Sequence, residues 1–381
     1  MFDQLPQLLA NAGPGPMLSA LIEQFRAEKK YHELFDALLM QERLRLGLPM
    51  ALTSSIDELA EPIRSRVEEA YLGACREVGT LLLAEKRVRE AWPYLRPLAD
   101  RDLVAQGLAT IEPDDENLQS LVEILLHEGV DVGRGYQLVL DHYGTCNAIS
   151  AFDGVVMARP RAEQRDAAAR LVRRLHEELL ANVRADAEMR EGSPPTESSI
   201  RQIVARRPEI FEGNSYHIDL THLASVIRHA RLLEDHPTIR LALDLAEYGR
   251  RLSPQFRSTG EEPFVDAYNS EALFFAAQLQ EQVEAALSHF RERAEQVDAY
   301  HEGTLAAEVY VVLLARLGRC QEAINAAAKL IPPGTHTTGF APTLMELCCQ
   351  AGDYTRLLEN CQERGDLVGY AAGLIAAGSS T

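Results

Sequence analysis

Leu314-Ala315-Arg316-Leu317-Gly318-Arg319-Cys320-Gln321-Glu322-Ala323-Ile324 has a counterpart further along, Leu347-Cys348-Cys349-Gln350-Ala351-Gly352-Asp353-Tyr354-Thr355-Arg356-Leu357-Leu358. Each stretch passes from an apolar segment through a glycine into a second segment with apolar residues at three- and four-residue spacing, the period of a helix. Gly318 and Gly352 lie 34 residues apart. Glycine supplies the positive φ that stops a helix tightly. A small residue early in the second helix lets it approach the first. A single pair cannot bury its apolar face alone, so pairs of this kind stack on neighbours.

The rest of the 381 residues agrees. Aromatics are 6%, alternating β-branched runs are missing, and the better helix formers dominate. Leu81, Leu82 and Leu83, then Val88, Ala91, Trp92, Leu95 and Leu98, trace one helical stripe interrupted by a turn. Ala306 to Leu330 reads the same way, broken at Leu317-Gly318-Arg319. Upstream, Lys86-Arg87-Val88-Arg89-Glu90-Ala91-Trp92 aligns with the stretch beginning at Gly318 and lacks only the glycine. Glu28 to Phe35 parallels Ala351 to Leu358, Tyr143 to Ile149 resembles the turn with one residue deleted, and Gln282 to Leu287 is another helix opening. The expected fold is all-α, an α-solenoid of stacked antiparallel helix pairs without significant sheet.

Residues from about 306 to 375 resemble tetratricopeptide repeats. Gly318, Glu322, Ala323, Ile324 and Pro333 match that family's turn, second-helix opening and terminal proline, and Gly352 and Tyr354 match again. Leu357 stands where the family prefers a small residue. The resemblance implies helical hairpins and protein–protein contact, and it names no partner.

Glu191-Gly192-Ser193-Pro194-Pro195-Thr196-Glu197-Ser198-Ser199 has the composition of a linker. It predicts an N-terminal helical region over 1–188, a linker over 189–199 and a C-terminal helical region over 200–381. A long charged helix is expected from about Arg161 to Ala187, a short one from Ile200 to Phe211, and an irregular stretch from Ser253 to Asn269.

The formal charge of −19 argues against nucleic acid or an anionic membrane, and favours a partner presenting basic residues. No apolar run approaches the roughly 18–20 residues of a membrane span. Met1-Phe2-Asp3-Gln4 offers no basic leader, and six scattered cysteines suit reduced thiols, so a cytoplasmic protein is expected. P-loop, G-x-G-x-x-G, G-x-S-x-G and H-E-x-x-H patterns are all missing. Cys146 near His142 reads as a small buried packing residue rather than a nucleophile, because Cys320 occupies the analogous slot after Gly318. Arg170, Arg173, Arg174, Arg206 and Arg207 read as a solvated face.

Four histidines fall within 20 residues, His217, His222, His229 and His236. Asp219 or Thr221 can cap the helix that follows, Leu220, Leu223, Ile227 and Ala230 form its apolar stripe, and Asp219, His222, Ser225 and His229 its polar one. His222 and His229 are too far apart on a straight helix, roughly 10 Å, to share one ion. A divalent-metal site would instead combine His217 and Asp219 from the entry loop with His222, plus a ligand from elsewhere such as Asp266 or Glu271. Two readings result. The first is a non-catalytic interaction or scaffold module binding a peptide or helix on a concave surface, with no cofactor and no assigned catalytic residue. Its contacting residues would be His217, Asp219, His222, Ser225, His229, Asp266 and Tyr268. The alternative is a metal- or small-ligand-binding enzyme with a His/Asp site around residues 217–229 and 266–271.

Overall fold

The computed structural model describes residues 2–50, 58–257, 260–332 and 334–379. Two compact units divide the chain at Asp141. The first contains α1 (Leu5–Ala12), α2 (Pro14–Ala27), α3 (Tyr31–Arg45), α4 (Ile63–Ala84), α5 (Val88–Leu95), α6 (Arg101–Ala109) and α7 (Leu118–Val122). From α1 to α5 each helix packs on the next, and α4 also meets α6. Then α8 (Val132–Gly154) breaks its helical path at Gly144, where φ is 80° and ψ is 176°.

The second unit is built on α9 (Arg161–Glu191), whose length carries α10 (Ile200–Arg206), α11 (Leu220–Ala230) and α12 (His236–Arg251). Then follow α13 (Ala267–Gln278), α14 (Val283–Gln296), α15 (Leu305–Arg316), α16 (Cys320–Leu330), α17 (Leu344–Ala351), α18 (Tyr354–Arg364) and α19 (Leu367–Ser379). From α11 to α19 each helix packs on its successor. The described residues contain no strand, so each unit is all-α, with successive helices stacked as in a solenoid. No described helix is long and apolar enough to cross a membrane.

One turn recurs between paired helices. At α15–α16 the Arg319 amide donates to Leu314 O at 2.9 Å and the Gly318 amide to Ala315 O at 3.0 Å, with Gly318 at φ 75°. The same two bonds join Asp353 to Cys348 and Gly352 to Cys349 around φ 66°. These capture carbonyls that a helix end leaves orphaned. Upstream the turn persists without glycine. Lys30 donates to Phe25 and Lys29 to Arg26, and Arg87 donates to Leu82 and Lys86 to Leu83, with Lys29 at φ 56° and Lys86 at φ 60°. Glu281 and Gln280 repeat it before α14, with Gln280 at φ 64°. Pro333 lies outside the described residues.

Three expectations need correction. The division falls at Asp141, and the 189–199 segment lies inside the second unit. Gly192 ends α9 in the left-handed region as its composition predicts, but Glu197 is no solvated spacer. Its buried carboxylate lies 2.8 Å from Arg206 Nη1 and 3.1 Å from Arg207 Nη1, and Arg207 also bonds Glu191. A linker composition therefore conceals an ion-paired clasp, and Arg207 is mostly buried rather than solvated. Cys146 is exposed, not packed. Because Gly144 interrupts a helix instead of making the hairpin turn, the register shifts by one, and Thr145 is the buried neighbour, donating to Glu178 at 3.1 Å.

The recurrent turn makes a paired prediction. A Cβ at Gly318 would meet nothing within 4 Å, so only the backbone conformation penalises a side chain there. Gly318→Ala should lower stability by about 1 kcal/mol, while Lys86→Gly should raise it by about 0.5 kcal/mol. Urea denaturation followed by circular dichroism checks both signs.

Candidate functional site

Asp219 starts α11 as an N-cap, its carboxylate accepting from the amides of Thr221 at 2.8 Å and His222 at 3.1 Å. That fixes which face turns inward: Leu223, Val226, Ile227 and Ala230 are buried. Four residues beyond Ile227, where the apolar stripe would continue, stands Arg231. Its guanidinium lies 3.6 Å from the centroid of the Phe264 ring and donates to Glu271 of α13 in a very short ion pair. Phe264 is held by edge and tilted contacts to Phe274 and Phe290 at 5.9 and 5.6 Å. The cation–π and ionic contacts compensate for taking a charge out of water.

Arg316 of α15 completes the arrangement. It donates to Arg231 O and to Gln278 Oε1, both at 2.9 Å, so the C-terminal carbonyl of α11 is met by a buried cation. Burial holds the Arg316 guanidinium down at about 10, still charged at neutral pH. A polar chain thus ties α11, α13 and α15 together.

A cavity of about 600 Å³ lies between α11 and α13. Thr221, Ser225 and Arg228 line it from α11 and Arg231 from its C-cap, Tyr268 and Glu271 from α13, and Phe256, Arg257 and Glu261 from the connection. Gly249 of α12 lets Tyr268 lie there, since a Cβ at that position would come within 2.3 Å of the tyrosine ring. Tyr268 is 2% exposed and its hydroxyl has no hydrogen-bond partner; Glu271 is 1% exposed and its Oε2 has none; Arg231 Nε has none. Burial pushes the Glu271 carboxyl up to about 7, although Arg231 pulls in the other direction. Burial, with Glu271 adding to it, raises the Tyr268 phenol to about 12.

A second cavity, of about 530 Å³, shares Arg228, Arg231 and Glu261 with the first and so adjoins it. Arg161 and Gln164 of α9, His229 of α11, Leu305 and Val309 of α15, and Phe340 line it. His229 stacks on Phe152 at 4.1 Å and is held down at about 3, chiefly by burial, so its imidazole is neutral. Its Nε2 has no hydrogen-bond partner, Asp153 lying 3.4 Å away and pairing with Arg228. The far wall is pinned by Glu308, a buried carboxylate that accepts from the amides of Thr338 and Phe340, both at 2.7 Å, and from the hydroxyl of Thr304 at 2.6 Å. Together the two cavities are lined by α8, through Asp153, and by α9, α11, α13 and α15 with their connecting segments; α10, α12, α14 and α16 supply none of the lining residues.

The structure brings Ser225 and Tyr268 to one cavity and His229 to the other. His217, Asp219, His222 and Asp266 are not among the lining residues. The His217 side chain is buried with both ring nitrogens engaged, Nδ1 at 2.9 Å from Tyr248 Oη and Nε2 at 3.2 Å from Asp186. Asp266 accepts from the Asn269 side chain and is exposed. No three His, Cys, Asp or Glu side chains among the described residues are grouped to hold a metal ion, so His217, His222 and Asp266 do not assemble one. His229 also leaves the polar stripe expected for it, being only 4% exposed. Sequence reasoning passed over Arg161, Arg228, Arg231 and Arg257. The legible signal was a charge in register with an apolar stripe, as at Arg231, Glu271, Glu308 and Arg316. Comparison with family models, curated proteins and solved structures finds no match to this chain.

Two measurements probe these groups. A carboxyl whose folded pKa exceeds its unfolded value stabilises fully below the unfolded pKa of roughly 4.3 and loses that contribution as pH rises through about 7. Relative to Glu271→Gln, the wild type should therefore lose on the order of 3 kcal/mol between pH 4.5 and pH 8 in urea denaturation. Glu308→Ala should cost on the order of 3 kcal/mol and accelerate amide exchange at 338–341, since several donors lose one acceptor together. Unchanged exchange there would show that the loop is held by something else.

Proposed function

We propose that this chain is a non-catalytic interaction module holding a peptide or helix against α9, α11, α13 and α15 of the second unit. The observation that carries the reading is the pair of adjoining cavities, of about 600 and 530 Å³, walled by residues of α8, α9, α11, α13 and α15 and of the segments that connect them. The resemblance to tetratricopeptide repeats at 306–375 supports the same reading, because such hairpins present an inner wall to peptides. Around the cavities Arg161, Arg228, Arg231 and Arg257 face Asp153, Glu261 and Glu271. That balance favours a partner of neutral or mixed charge there, in place of the basic partner suggested by the net charge.

A small-ligand enzyme is the second reading. Glu271 favours it: a carboxyl in the wall of a cavity, held at about 7 by burial, is suited to proton transfer near neutral pH. On that reading the working groups are Glu271, Tyr268 and Arg231 rather than the histidines.

Selection of a displayed random peptide library on the full chain tests the first reading. Ser225→Trp fills the first cavity and should weaken recovered peptides at least about tenfold, since a bulky group displaces the ligand from a preformed site. Gln321→Ala, on the exposed side of α16, should leave them unchanged. Peptides indifferent to Ser225→Trp, or no peptides at all, would count against the wall.

A further inference from the structure

Three arginines line the second cavity, and two of them are answered. Arg228 pairs with Asp153 and Arg231 with Glu271. Arg161 forms no ion pair with any described residue, and its one hydrogen bond runs from Nη1 to Gln164 Oε1 at 3.3 Å. Its Nε and Nη2 are unbonded among the described residues and both keep accessible surface.

Two neighbours place this guanidinium at the cavity. Gln164 is itself fixed, donating to Met157 O at 2.9 Å and Arg159 O at 2.7 Å, while a Cβ on Gly339 would lie 3.7 Å from Arg161 Nη2. Gln164, Met157 and Gly339 all line the second cavity. Burial, and then the charge of Arg165, draw the Arg161 pKa below the usual arginine value, as befits a cation short of a counter-ion. Glu308 opposes that shift, but its carboxylate is taken up by the amides of Thr338, Phe340 and Ala341. Apolar surface stands alongside. Phe340 follows Gly339 in the chain, Leu305 and Met157 line the same cavity, and none of the three is buried.

We propose that the second cavity receives the C-terminal residue of the bound peptide, its carboxylate on Arg161 and an apolar side chain against Phe340, Leu305 and Met157. The proposal rests on the peptide reading above. The Nε–H and Nη2–H groups of a planar guanidinium form a fork that a carboxylate accepts in two parallel bonds. In the last residue of a chain, carboxylate and side chain leave the same carbon. That suits a cation and an aromatic ring held by successive positions of one wall. An internal aspartate brings no apolar group, and an internal glutamate carries its carboxylate at the very tip. A phosphate fits worse, since it brings close to two charges to one unmatched cation, with Glu261 also on this cavity.

The test uses the full chain labelled with ¹⁵N-arginine, the Arg161 Nε–H signal being assigned by its loss in Arg161→Gln. N-acetyl-leucine, N-acetyl-leucinamide and N-acetylglycine are titrated separately at pH 7. N-acetyl-leucine should move the Arg161 signal saturably. The amide should bind at least about tenfold more weakly, lacking the charge, and N-acetylglycine about tenfold more weakly, lacking the apolar group. Ligand line broadening should show the preference for acid over amide vanishing in Arg161→Gln and persisting in Gln321→Ala. Arg161→Gln should fold as the wild type does, because the side chain gives up one bond; the acid–amide comparison on the wild type decides the matter without any variant. Equal binding of acid and amide, acid binding that survives Arg161→Gln, or no response to any of the three would overturn the assignment. Peptides selected from a library displayed with free C-termini should lose at least about tenfold in affinity on amidation. Selected peptides that need Ser225 but are indifferent to amidation would remove the C-terminal pocket and leave the interaction reading intact. N-acetyl-leucine binding without any selected peptide would overturn the peptide terminus and assign the pocket to a free apolar acid.

Discussion

A guanidinium taken out of water has to be answered on every side, and Arg231 is the position where this chain meets that requirement. Its side chain is 14% exposed, packed flat on Phe264 and ion-paired with Glu271, while its carbonyl is held by Arg316. Each answer comes from a different element: the 260–266 connection, α13 and α15. Removing a partner from such a group leaves a buried charge uncompensated, which is far more costly than the intact pair is stabilising. The spacing of α11, α13 and α15 is thus set by the reach of two arginine side chains as much as by apolar packing.

That spacing explains why open space persists in a helical stack otherwise packed closely along the chain. Between α11 and α13 the bridging is ionic, and the volume beside the bridge is the first cavity. Beyond it, Glu308 holds the 338–341 segment by accepting from its amides, and the second cavity lies under Phe340. From α9 onward it is α9, α11, α13 and α15 that face these spaces, because successive helices fold back on one another and leave every second one on a given side of the stack; Asp153 of α8 joins them. Fold and site therefore share one cause: hairpins in series, with a charge placed where an apolar residue would have closed the gap.

Much of the fold was legible before any coordinates. The break at Leu317-Gly318-Arg319 and the long helix beginning at Arg161 stand where the periodicity put them. The upstream turns were harder to read because Lys29 and Lys86 occupy the left-handed position that glycine marks elsewhere. The site was read less well, and the histidines show why. Four of them in 20 residues suggested a shared task, yet proximity in sequence is not convergence in space. His217 is held by Tyr248 and Asp186, each 31 residues away, while His229 is buried against Phe152. Ser225 and Tyr268 were found because one lies on α11 and the other in the first turn of α13, which meet at the cavity. The arginines were overlooked because a net charge of −19 says nothing about which charges are buried.

The central claim is that alternate helices of the second unit form the working surface. Hydrogen–deuterium exchange of the full chain, with and without a peptide selected on it, measures this most directly. The account predicts added protection in α9, α11, α13, α15 and residues 338–341, with α10, α12, α14 and α16 unchanged. Protection confined to the latter four helices, or to the first unit, would contradict it.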